Sequence, residues 1–245
     1  MSTPQAIFMA GPAGAGKSFV SKALPLSKFH VINVDDDYKK LLNAAGIGTN
    51  IKDFSPDKLS QAAKLMAQAQ KITKDKYTKA LKNLHDIIID GTGAASNPLL
   101  KKKAELEALG YETMMIMIYV SPITSLKRNV SRGEAGDRSL MPGQVLNTWE
   151  KVNQNIETYE QAFDDKFVLI NNDPKDVDKS FDPQEIKRRF FDTAKAKGKP
   201  KTPEEMAKKK AEVDAMNKSI QQLLKQQPKF TPKDQAISKI KAFIK

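Results

Sequence analysis

The chain has 245 residues, 40% of them hydrophobic, a net charge of +12 and no cysteine. That length supports one well-built core with an appendage, and the lack of thiols excludes disulfides, thiolate metal sites and a cysteine nucleophile. No apolar run reaches the length of a bilayer span and no signal peptide opens the chain, so the expectation is a cytoplasmic protein with no membrane attachment.

Ala6–Ala10 is a short apolar run suited to a buried strand. Gly11–Ser18 then reads G-P-A-G-A-G-K-S, which fits the phosphate-binding pattern G-x-x-x-x-G-K-[ST]. Phe19, Val20, Ala23 and Leu24 follow at near-helical spacing, and Pro25 stops that helix. Strand, glycine loop and helix form the context that phosphate binding needs. Gly11, Gly14 and Gly16 let the backbone bend until several N–H groups converge on one anion. The helix start adds partial positive charge, and Pro12, Ala13, Ala15 and Phe19 complete the nucleotide-binding stretch. Lys17 brings a full charge to the β- and γ-phosphates of ATP, and Ser18 a hydroxyl for Mg²⁺.

A second strand, His30–Val34, ends in Asp35-Asp36-Asp37, with a helix through Tyr38, Leu41 and Leu42 broken at Gly46-Ile47-Gly48. Ser55-Pro56-Asp57 signals a helix start, and that helix runs to about Asn83 with an apolar side. Asp86–Asp90 is a third strand. A helix over Asn97–Leu109 stops at Gly110, and Glu112–Val120 makes a fourth strand. Pro122 opens a helix through Arg132. A glycine-bearing loop runs to Pro142, one helix spans Gly143–Phe163, and Lys166–Ile170 is the fifth strand. Strands alternating with helices, several apolar throughout, predict an α/β fold: a five-stranded parallel sheet with helices on both faces.

The charge divides the chain. Residues 187–245 hold 17 Lys and Arg against 6 Asp and Glu, leaving 24 against 23 in the rest. The expectation is a kinase domain over 1–191 and a Lys-rich helical C-terminal extension over 192–245. The extension has a linker, Lys195–Pro203, and helices over Pro203–Gln226 and Pro232–Ile244 whose narrow apolar stripes suit docking on the body or on a protein partner.

The charged residues around the loop select the chemistry. Ligands of open α/β sheets bind beyond the carboxyl ends of the strands. Asp35 and Asp36, with Asp37 beside them, are candidates for the base that accepts a proton from an attacking hydroxyl, at least one of the three capping the helix instead. Asp90 closes an apolar strand, where an acid supports Mg²⁺. Arg128 and Arg132 share a helix face; with Arg138, in the glycine-bearing loop, they form a lid that neutralises charge on a transferring phosphoryl group. His30 and His85 read as structural. Tyr119, Trp149 and the Met114, Met115 and Met117 cluster read as core.

These segments resemble the zeta-toxin and polynucleotide-kinase branch of P-loop kinases. The resemblance rests on G-P-A-G-A-G-K-S at 11–18, I-N-V-D-D-D-Y at 32–38, I-I-I-D-G-T at 87–92 and R-N-V-S-R-G-E-A-G-D-R at 128–138. It implies that the base is the first acid of the second motif, Asp35 counted from the strand or Asp36 counted back from Tyr38; Lys39 stands where polynucleotide kinases carry Arg. It also implies an acceptor such as a polynucleotide end, a modified base in phage-type DNA kinases, or a nucleotide sugar in zeta toxins. The expectation is an ATP- and Mg²⁺-dependent kinase. Its acceptor is nucleic acid, favoured by the basic tail, or a nucleotide or nucleotide sugar. An ATPase or binding module of a larger assembly is the third alternative.

Overall fold

The computed structural model describes residues 3–24, 26–49, 54–174 and 228–244, together with positions 204, 207, 211, 214, 215 and 218. Five strands form one parallel sheet: β1 (Gln5–Ala10), β2 (His30–Ile32), β3 (Ile87–Asp90), β4 (Glu112–Tyr119) and β5 (Phe167–Asn171), in the order β2-β3-β1-β4-β5. Every residue of β1 is buried, and only the first of β4 is not. Such strands carry apolar side chains on both faces and need helices over each.

The helices are α1 (Lys17–Ala23), α2 (Val34–Ala44), α3 (Pro56–Lys82), α4 (Ser96–Ala108), α5 (Pro122–Glu134), α6 (Pro142–Gln154), α7 (Ile156–Phe163) and α8 (Lys233–Phe243). The start signals work as read. Ser55 and Ser121 cap α3 and α5, accepting from the N–H of Lys58 at 3.4 Å and Thr124 at 3.3 Å, each with proline in the first turn. Leu24, before the proline, is extended and ends α1.

One face of the sheet packs Phe8, Met115 and Leu169 against Leu106, Trp149, Tyr159 and Phe163 of α4, α6 and α7. Trp149 donates its indole N–H to the Val120 carbonyl at 2.7 Å. The other face packs Ile7, Met9, Ile116 and Val168 against Val20 of α1 and Ala236, Ile240 and Phe243 of α8. The apolar stripe of the last predicted helix thus docks on the body. The chain before it also covers the free edge of β5: Thr231 N–H donates to the Leu169 carbonyl at 3.0 Å, and its Oγ accepts from Leu169 N–H at 3.1 Å. His30 and His85 stack with ring centroids 4.2 Å apart.

Two predicted boundaries move. β2 stops at Ile32, because Asn33 caps α2 by accepting from Asp35 N–H at 2.8 Å. Asp35, Asp36 and Asp37 therefore occupy the first turn of α2, and the capping expected of one of them falls to Asn33. The helix predicted over 143–163 is two, α6 and α7. Asn155 at their junction donates to the Gly93 carbonyl at 3.0 Å, which Tyr159 also reaches at 2.8 Å. The 191/192 boundary and the linker lie outside the described residues. So does the Pro203–Gln226 helix, apart from the six positions named above, which are helical and exposed.

Candidate active site

The chain leaves β1 toward β2 on one side, and leaves β4 toward β5 on the other. Adjacent strands whose connections diverge open a crevice at their carboxyl ends, and Gly11–Ser18 lies at this one. Gly14 and Gly16 have φ of 74° and 84°, a left-handed backbone that glycine adopts without strain. A side chain at Gly14 would sit 2.9 Å from the Ser125 carbonyl, and one at Gly16 would collide with Asn172. Gly11, Pro12 and Ala15 are buried, Ala13 half-buried and Ser18 exposed. Phe19, read with the cofactor-binding stretch, turns outward and is 72% exposed.

Lys17 donates to the Gly11 carbonyl at 3.1 Å. Its enclosure holds its pKa below the ordinary lysine value; Asp90 and Asp35 oppose that shift, and Arg132 adds to it. Asp90, at the end of β3, accepts from Asn33 Nδ2 at 2.8 Å through Oδ2, while Oδ1 is buried with no hydrogen-bond partner. Burial pushes the Asp90 carboxyl upward; Lys17 pulls it down, Asp36 and Asp35 push it up, and the Asn33 bond lowers it. Lys17, Asp90, Asp35 and Asp36 thus form one electrostatic group.

The three acids of α2 diverge. Asp37 is buried and accepts from Thr73 Oγ1 at 2.8 Å and from Lys76 Nζ, pinning α2 to α3. Burial raises its pKa, but the Lys76 and Thr73 bonds outweigh that and hold it below the usual value. Asp36 is exposed. The Asp35 side chain is 68% exposed and pairs with Arg138.

The arginines separate as well. Arg128 Nη1 donates to the Gly14 carbonyl at 2.9 Å and Nη2 to the Asn172 carbonyl at 3.0 Å, so its guanidinium lies against the loop. Arg132 is exposed. Arg138 pairs with Asp35 and lies 5.7 Å from the centre of the Tyr38 ring, its Nε buried without a partner. The segment that carries Arg138 is fastened on two sides. Lys39 of α2 pairs with Asp137 at 2.9 Å and Thr49 donates to the Gly136 carbonyl at 3.1 Å. Asn129 of α5 holds Leu140 by two bonds of 2.8 Å.

The zeta toxin family model matches residues 1–211. The chain belongs to the zeta toxin family. As a member it is a P-loop phosphotransferase. Similar solved structures agree on the fold. One, from the PezAT chromosomal toxin–antitoxin system of Streptococcus pneumoniae, is 17% identical with a TM-score of 0.50, over 93% of this chain and 89% of that one. AvrRxo1-ORF1:-ORF2 with ATP is 13% identical with a TM-score of 0.57, over 98% and 80%. No curated protein sequence matches.

Within this zeta toxin family chain, the donors suit magnesium. Asp90 Oδ1 is buried and unpartnered, and the Ser18 hydroxyl is exposed at the start of α1. Among the described residues no group of three or more His, Cys, Asp or Glu could hold a metal by itself. One carboxylate and one hydroxyl suit a hard cation that keeps waters and takes phosphate oxygens as its other ligands. Sequence reasoning missed Asn33, which orients Asp90, and Ser125 and Asn172, which bond the glycine loop. The sequence signal for Asn33 is its place as a favoured N-cap just before three acids. Among the described residues no helix is long and apolar enough to cross a membrane.

Proposed function

We propose that this zeta toxin family kinase transfers the γ-phosphoryl group of ATP to a hydroxyl of a small nucleotide-type acceptor such as a nucleotide or nucleotide sugar. The observation that carries the reading is the set of groups at the carboxyl end of the sheet: Lys17 reaching back to the Gly11 carbonyl, Asp90 closing β3 with Oδ1 buried and unpartnered, and Asp35 paired with Arg138. The amides of Gly11–Ser18 and the Lys17 ammonium hold the β- and γ-phosphates. Ser18 and Asp90 hold magnesium, which when bound screens the charge of the phosphate oxygens. The acceptor hydroxyl attacks the γ-phosphorus; its proton passes to Asp35, the new P–O bond forms, and the bond to the β-phosphate oxygen breaks to leave ADP. Arg132 and Arg138 stabilise the charge that spreads over the equatorial oxygens.

The fastening of the Arg138 loop supports a small acceptor. Lys39 and Thr49 tie that loop to α2 and to the segment just after it, so that Arg138 is held against Asp35 on the acceptor side. The PezAT and AvrRxo1 structures come from two-component assemblies, which supports a protein partner.

Incubation with γ-labelled ATP tests the reading against 5′-hydroxyl oligonucleotides, modified DNA, nucleosides, nucleoside monophosphates and nucleotide sugars. Label in a small-molecule class is expected. Label only in the polymers would overturn the acceptor assignment, and free phosphate with no labelled acceptor would make the protein an ATPase.

A further inference from the structure

Three consecutive carbonyls of the glycine loop are each held by a side chain from outside it. Ser125 Oγ donates to the Ala13 carbonyl at 2.5 Å, Arg128 Nη1 to the Gly14 carbonyl at 2.9 Å, and Asn172 Nδ2 to the Ala15 carbonyl at 2.8 Å. These donors come from α5 and from the residue just after β5. They are tied together: Arg128 Nη2 donates to the Asn172 carbonyl at 3.0 Å, and Asn172 N–H donates to the Tyr119 carbonyl at 2.8 Å.

In a trans peptide the carbonyl and the following N–H point opposite ways across a rigid plane. Drawing the carbonyls of residues 13, 14 and 15 toward the donors therefore turns the N–H groups of Gly14, Ala15 and Gly16 away from them. Ala15 N–H closes a tight turn onto the Pro12 carbonyl at 3.1 Å. That leaves the N–H groups of Gly14 and Gly16 for an anion. Left-handed glycines have many accessible conformations, so a loop of this composition does not hold such an arrangement unaided. The contacts on its far side hold it before any phosphate arrives.

We propose that Ser125, Arg128 and Asn172 are positioning residues that preorganise the phosphate cradle, and that Arg128 acts on the loop backbone rather than on the transferred phosphoryl group. The inference rests on the reading that this loop binds the phosphates of ATP. It assigns the two arginines of one helix face different tasks: Arg128 braces the loop, while Arg132, one turn on, is exposed and free to meet the phosphates.

The test measures ADP and ATP affinity by calorimetry, and kcat and KM by steady-state kinetics, in Ser125→Ala, Arg128→Lys, Asn172→Ala and Asn172→Asp. Loss of a buried hydrogen bond at the cradle is expected to weaken ADP binding about 10-fold in Asn172→Ala. The acceptor KM stays within about twofold, since the acceptor side is untouched. Asn172→Asp has the shape of the native residue but sets an acceptor against the Ala15 carbonyl. It is expected to bind ADP more weakly than Asn172→Ala, the reverse of what a space-filling role gives. Arg128→Lys keeps the charge but not the two-pronged reach, and is expected to lose nucleotide affinity with kcat at saturating ATP within about threefold.

A normal ADP affinity with a 100-fold fall in kcat for Arg128→Lys would overturn the assignment and place that arginine at the transferring group. Unchanged ADP binding in Asn172→Asp would overturn it for Asn172. Failure of the unmodified protein to bind ADP or ATP would instead remove the parent reading. Circular dichroism on each variant identifies any that fails to fold; Arg128→Lys, the most conservative, keeps the test decisive.

Discussion

Arg138 and Asp35 form an ion pair that links the segment after α5 to the first turn of α2. The pair has two consequences. It neutralises the carboxylate proposed as the base, and it holds an arginine beside the electrostatic group formed by Lys17 and Asp90. A polyphosphate is a stronger attractor for the guanidinium than one exposed carboxylate, so nucleotide binding would draw Arg138 away and free Asp35.

Asp35→Asn is expected to lower kcat by about 10²–10⁴-fold, the usual contribution of a general base. Asp36→Asn should keep most of the activity, because of the two acids only Asp35 also acts on Lys17. Steady-state kinetics on both variants check this, and the opposite ranking would move the base to Asp36.

Lys17→Ala removes the enclosed ammonium. The rate should fall by about 10²–10³-fold, as for loss of a preorganised charge donor. Turnover like that of the unmodified protein would contradict the role of the loop.

Asp90→Asn should separate activity from stability. Burial raises the Asp90 pKa, so the folded state binds this proton more tightly than the unfolded chain does. Above the unfolded value of about 3.9 the ionised group therefore costs stability, and the cost grows as pH rises through the folded value. Neutral asparagine escapes that cost. The thermal midpoint at pH 7 should be unchanged or higher, while activity falls and needs more magnesium. A lower midpoint would show that the charge stabilises the fold.

Asp37→Asn should do the reverse. The Asp37 pKa is held below its ordinary value by Lys76 and Thr73 against the effect of burial. The ionised carboxylate thus contributes stability above the unfolded value of about 3.9, and loses it as pH falls through the folded value. Urea unfolding at pH 7 should show a loss of about 1–3 kcal/mol in the variant, shrinking toward zero near the folded pKa. A pH-independent difference would assign the loss to packing instead.

Ile240→Ala should cost about 2–5 kcal/mol in urea unfolding, the range for truncating a buried aliphatic side chain. Ile240 is fully buried among the side chains of α1 and the sheet. A cost under about 1 kcal/mol would mean that α8 is not part of the cooperative core.

The sheet and the phosphate loop were legible because they are written in periodic apolar runs and a fixed glycine–lysine spacing. Lys17, Ser18, Asp90 and Asp35 lie where such a frame brings strand ends together, so position along the chain was enough to place them at that end of the sheet. Asn33, Ser125 and Asn172 were not legible in this way. Each is a short polar side chain acting on one nearby group, and no spacing announces which one. Arg128 and Arg132 read alike because they are one turn apart, yet a small rotation about the helix axis sends one to the loop backbone and leaves the other exposed. The break between α6 and α7 escaped because the residues on either side keep helical periodicity, and only the tertiary bonds of Asn155 and Tyr159 to Gly93 reveal it. The stripe of α8 was visible, but amphipathicity alone does not name the surface it covers.

The seating of α8 on the sheet also matters during translation. Ile7, Met9 and Ile116 emerge from the ribosome long before Ile240 and Phe243 do. Until synthesis passes residue 243, part of that apolar face lacks its covering helix, and the nascent chain is exposed to aggregation and chaperone capture. A premature stop between β5 and α8 would leave the phosphate loop intact in sequence and the sheet beneath it unfinished.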